Sequence, residues 1–244
     1  MYMFDQVNKN EGRQSEKGNV LFLILIAVAL FAALSYAVTQ STRSGGGDAS
    51  SETNLVNSSQ ITQYPASLKT AITRMNVSNS ITPDTLLFTA PANFSLLTTS
   101  TLQSQAVFYP SVGGGATYQQ APNNVMASGL PGTWHFNAEN EVLNIGTDGG
   151  ASGASIDITT FLPGIKQAIC EKINAQLAIT GGTNGVMTET ATVDTTSDMI
   201  TTHAGIQTST AGILGTAATN LVGRPQGCFK LGANYVYYSV LVER

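Results

Sequence analysis

Cys170 and Cys228 are the residues of this chain best suited to covalent chemistry, and they are its only two cysteines. In an oxidising compartment an even count favours a disulfide, and in a reducing one the pair stays as two buried thiols. The compartment therefore decides between them. The two histidines, His135 and His203, lie far apart, and neither has a cysteine or carboxylate at metal-ligand spacing. His135 stands between Trp134 and Phe136, which predicts a strand residue facing the surface. Asp148, in Thr147-Asp148-Gly149-Gly150, has the look of a calcium loop but lacks alternating carboxylates. Asp194 and Asp198 fall in a Thr-rich stretch that reads as a solvated loop. The chain has no G-x-S-x-G elbow, no phosphate-binding glycine loop and no His-x-x-x-His pair. Asn57, Asn76 and Asn93 open glycosylation-type triplets. The residues thus predict no catalytic centre, no metal and no cofactor.

The elements that would position the cysteines also fix the compartment. Residues 1–18 are polar, with Lys9, Arg13 and Lys17 against Asp5, Glu11 and Glu16. Residues 20–38 then run VLFLILIAVALFAALSYAV without a charge or a polar stripe. At about 1.5 Å per residue this run just spans a hydrocarbon core of about 30 Å. Basic residues are denser on its N-terminal side, so the positive-inside tendency exports everything after it. That placement favours the Cys170–Cys228 disulfide. Charged residues make up 11% of the chain, less than half of the roughly one quarter usual in globular proteins. Uncharged polar residues fill the gap, as suits an exposed surface. The net charge of −4 and the lack of a basic cluster exclude the electrostatic attraction that drives nucleic-acid binding.

Three fates are open to the apolar segment. It is a permanent anchor, or a signal peptide cut after Ser35-Tyr36-Ala37, or the helix behind a leader cut ahead of it. The junction Glu16-Lys17-Gly18-Asn19-Val20-Leu21-Phe22 sets a charged leader and a glycine directly against the helix. It resembles the type IV pilins and type II secretion pseudopilins. The resemblance implies cleavage between Gly18 and Asn19 by a prepilin-type peptidase, and methylation of the new N-terminus. The sequence departs from the family in having Asn19 after the cut, where Phe or Met is usual. It departs again in having Leu23 where most members carry Glu, a departure some minor subunits share. The likeness covers the first forty or so residues, and the remainder in layout only.

Beyond the apolar run, residues 41–50 include Gly45-Gly46-Gly47. At about 1 kcal/mol per glycine they predict a break and a flexible joint. In residues 51–75 an apolar stripe of Ile61, Tyr64, Leu68, Ile72 and Met75 predicts a packed helix, with Pro65 kinking it or starting a new segment. Short strands are expected at residues 85–89, 105–109, 133–137, 142–145 and 155–159, with a hairpin turn at 138–141. A second helix is expected over residues 163–177 with Cys170 at the edge of its apolar face. Residues 183–223 read as a long surface excursion, and 235–242 as a buried terminal strand. The expected fold is α+β: a leader over 1–18, a transmembrane helix over 19–40, a joint over 41–50 and a pilin-like domain with a mainly antiparallel sheet over 51–244. The expected role is a non-enzymatic subunit of a pilus-like filament or pseudopilus, held first by membrane lipid and later by other pilin-like subunits. The alternatives are a solitary anchored binding or adhesion module and, behind it, an exported hydrolase.

Overall fold

The computed structural model describes residues 17–147, 156–190, 192–199 and 212–244. The chain forms two compact units, one up to Ser51 and one from Glu52 to Arg244. Helix α1 (Lys17–Asn79) is the longest element and contributes to both. Its backbone stays helical through Gly45–Gly47, so the predicted break is not there. A helix pays its large entropic cost at nucleation, and each further residue then adds one hydrogen bond. Long helical stretches on either side can therefore carry three glycines. The boundary between the units still falls at the end of this stretch. Pro65 lies buried inside α1, and no new segment starts there.

In the second unit the predicted stripe is the face that packs. Ile61, Tyr64, Leu68, Ile72 and Met75 share one core with Phe136, Ile158, Leu162 and Tyr237. Of the early predicted strands, residues 85–89 and 105–109 make one parallel bridge, Leu87 to Ala106, beside a short helix α2 (Ser100–Gln105).

The sheet comprises β1 (His135–Val142), β2 (Asp157–Ile165), β3 (Gly212–Leu214), β4 (Gln226–Leu231) and β5 (Asn234–Val242), ordered β3-β1-β2-β5-β4. Every pairing is antiparallel except β1 with β3. Gly232, at φ +59°, turns β4 into β5 through the two residues Gly232-Ala233. Two sequence expectations fail in the sheet. Residues 138–141 do not form a hairpin turn; they continue β1 through a bulge between Asn137 and Asn140. Pro163 and Ile165 belong to β2, so helix α3 covers only Gln167–Gln176. Pro163 is tolerated because pairing with β1 extends only to Phe161, leaving its N–H side off the ladder.

The stretch 183–223 also differs from expectation. Its described residues bury Val186, Val193, Met199, Leu214 and Leu221. Side chains of the sheet and α3 satisfy its backbone. Asn140 donates to the Asp194 carbonyl at 2.6 Å and accepts from the Asp194 N–H at 2.9 Å. The buried Glu189 carboxylate accepts four backbone N–H bonds, from Thr190, Gly215, Ala217 and Ala218, at 2.8–3.1 Å. This meets the demand of a buried carboxylate with oriented dipoles instead of a cation. It also ties two parts of the Thr-rich stretch together.

Candidate functional site

The first unit presents an unbroken apolar helix surface. Val20–Thr39 has a mean hydropathy of 2.7 and none of it is buried, so it is long and apolar enough to cross a membrane. A signal sequence near an N-terminus has the same character. Gly18 and Asn19 lie in the first turn of α1, directly ahead of this surface. The leader before Lys17 lies outside the described residues.

In the second unit, Cys170 on α3 and Cys228 on β4 form the predicted disulfide, with Cα atoms 5.5 Å apart. One helical turn after Cys170, the buried Asn174 adds a second link. Its Nδ2 donates to the Cys228 and Gly185 carbonyls at 2.8 Å, and its Oδ1 accepts from the Cys228 N–H at 2.9 Å. The amide thus occupies the outer edge of β4 as a neighbouring strand would. Further along that edge, Lys230 exchanges backbone bonds with Met187 and Glu189. The edge is therefore closed by covalent, side-chain and main-chain contacts.

His135 is not a bare surface residue. Its Nδ1 lies 3.1 Å from the Asp198 carboxylate, whose other oxygen accepts from the Phe136 N–H. Asp194 is no freely solvated carboxylate either. Burial raises its carboxyl, but bonds from Ser197 and Thr196 outweigh that and hold it below the usual range. Among the described residues no group of His, Cys, Asp or Glu could hold a metal ion. His203 and Asp148, the calcium candidate, lie outside the described residues.

Among the described residues, Asp157 at the start of β2 is a carboxylate with a strongly displaced titration. Burial raises it from 3.8 to about 6, against opposing bonds from the Val142 and Arg244 N–H groups. Between those values the folded protein holds a proton that the unfolded chain has released. Its contribution to stability is therefore full below about pH 4 and is lost as pH rises through about 6. At ~1.4 kcal/mol per pH unit the loss is on the order of 2–3 kcal/mol. We expect Asp157→Asn to flatten the pH dependence of the urea midpoint between pH 4.5 and 7. Parallel slopes in the two proteins would show that Asp157 does not titrate there.

Sequence reasoning found the apolar surface and the cysteine pair. It missed Asn174, Glu189 and Asn140, whose partners lie far away in the chain and leave no local periodicity. No protein-family description, curated protein or solved structure matches the chain, so this arrangement of an apolar helix and a disulfide-clamped α+β head is what a functional reading must rest on.

Proposed function

We propose that the chain is a subunit of a type IV pilus-like filament or pseudopilus. The observation that carries this reading is α1: one helix element with two kinds of apolar surface. Over Val20–Thr39 the surface is apolar all round and unburied, whereas from Ile61 to Met75 it is a single stripe sunk in the core of the head. A helix apolar all round needs a lipid or protein environment outside its own fold. Lipid supplies it before assembly, and the same surface on other pilin-like subunits supplies it afterwards. The continuity of α1 through the glycines supports the reading, because pilins continue their helix beyond the membrane. A disulfide suits an exported head. In this reading the protein is inserted once in the inner membrane with its C-terminal domain outside. A prepilin-type peptidase releases the leader at Gly18–Asn19.

N-terminal sequencing of the mature protein tests this directly. The expected first residue is Asn19, and Gly18→Ala should slow or block cutting. A mature chain starting at Val38 would establish signal-peptide cleavage, and an intact Met1 a plain anchor. Deletion of the gene should abolish a filament or a secretion activity. A head found only as a monomer in the cell would favour the solitary anchored module.

A further inference from the structure

A cleft of about 390 Å³ opens in the second unit between α1 and residues 119–122. Its size falls within the roughly 300–1,000 Å³ of small-molecule sites. Four exposed glutamines line it: Gln60 and Gln63 from α1, and Gln119 and Gln120 from the facing segment. Tyr64 and Trp134 line it too, each 3% exposed. Trp134 is held by ring contacts with Tyr64 at 5.1 Å and Tyr237 at 6.0 Å. Trp134 Nε1 is buried without a hydrogen-bond partner among the described residues. Tyr64 Oη lies against the Gln119 backbone. A buried donor left unpaired costs stability. Such a donor in the wall of a cleft points to something that pairs there.

The lining also defines the ligand's chemistry. Among the described residues no charged side chain borders the cleft, so nothing in this lining selects an anion or a cation. Each glutamine offers two donors and an acceptor, which suits hydroxyl groups that both donate and accept. The apolar part of the lining, with Ile61, Ala121 and Pro122 beside the two aromatic residues, suits the C–H faces of a sugar ring. We propose that this cleft binds a neutral saccharide, with the glutamine amides taking its hydroxyls and Trp134 and Tyr64 forming the floor.

Trp134 is the only tryptophan in the chain, so its fluorescence reports on this cleft alone. The experiment titrates full-length protein in lipid nanodiscs, free of glycoside detergent, with chitotriose and with maltotriose. The expected result is a saturable shift in Trp134 emission with at least one of them. The double variant Gln63→Ala, Gln120→Ala should weaken binding about tenfold or more, with an unchanged far-UV spectrum. Should that variant unfold, Gln60→Ala, a single change at an exposed position, carries the same expectation of weaker binding. The proposal is overturned if neither saccharide moves the emission at millimolar concentration, or if the shift survives the glutamine substitutions.

Discussion

Replacing Cys170 and Cys228 together by alanine is expected to lower the stability of the head by about 4 kcal/mol. The two cysteines are 58 residues apart in sequence, and the entropy of closing such a loop in the unfolded chain gives that magnitude. The loss should be uneven across the fold. The bridge encloses α3 from Cys170 onward, β3 and the Thr-rich stretch, whereas β2 and β5 pair with each other along nearly their whole length. Amide exchange should therefore rise first in the described parts of 183–223 and last in β2 and β5. Asn174 keeps α3 against β4 when the bridge is gone, so the variant should still fold. Adding Asn174→Ala removes the partner of the backbone N–H and carbonyl at position 228, at about 1–3 kcal/mol for a buried polar group, while the Gly185 carbonyl still accepts from Asn220 Nδ2. Because the two links join the same pair of elements, their effects should not simply add. An unchanged denaturation midpoint in the double-alanine protein would remove the clamp from any account of how the Thr-rich stretch is held.

The features legible in the sequence were those written in local pattern. The uncharged run after Gly18, the stripe from Ile61 to Met75 and the aromatic β-branched run before Glu243 each depend on neighbours within a few residues, and each lies where its pattern placed it. The Cys170–Cys228 pairing needed one further step, from compartment to oxidation state. The misreadings share a different cause. Ala138-Glu139-Asn140-Glu141 has the polarity of a turn, yet Ala138, Asn140 and Glu141 are buried. Asn140 survives inside because the backbone at Asp194, far along the chain, pairs with its amide. The Thr-rich stretch is too weakly apolar to predict a core segment, and Glu189 and Asn140 hold it by its backbone. The cleft is hidden for the same reason: Gln60 and Gln63 become neighbours of Gln119, Gln120 and Trp134 only once α1 has docked.

Removing residues 1–51 is expected to turn a detergent-requiring protein into a soluble, folded one. The first unit ends at Ser51, and the stripe from Ile61 onward has its partners within the second unit. The head therefore keeps its core when the apolar helix is cut away. In the full chain, the large apolar side chains from Val20 to Val38 are mostly well over half exposed. At about 25 cal/mol per Å², or roughly 1.5–3 kcal/mol for each large side chain, leaving them in water costs tens of kcal/mol. A transfer free energy of that size favours covering the segment with lipid, detergent or another chain. A single charge near its centre tests whether lipid is the cover. Leu30→Lys should lower membrane insertion by about 2.5–3.5 kcal/mol, read as the inserted fraction in a translation–insertion assay. The same change on the outside of a soluble helix would cost almost nothing. Full-length protein that stays monomeric in plain buffer, or a Leu30→Lys chain that inserts as well as the original, would contradict the membrane assignment. If the segment first meets lipid and then other subunits, Leu30→Lys should also block assembly of whatever chains do insert, because a buried unpaired charge is as unfavourable among packed helices as in hydrocarbon.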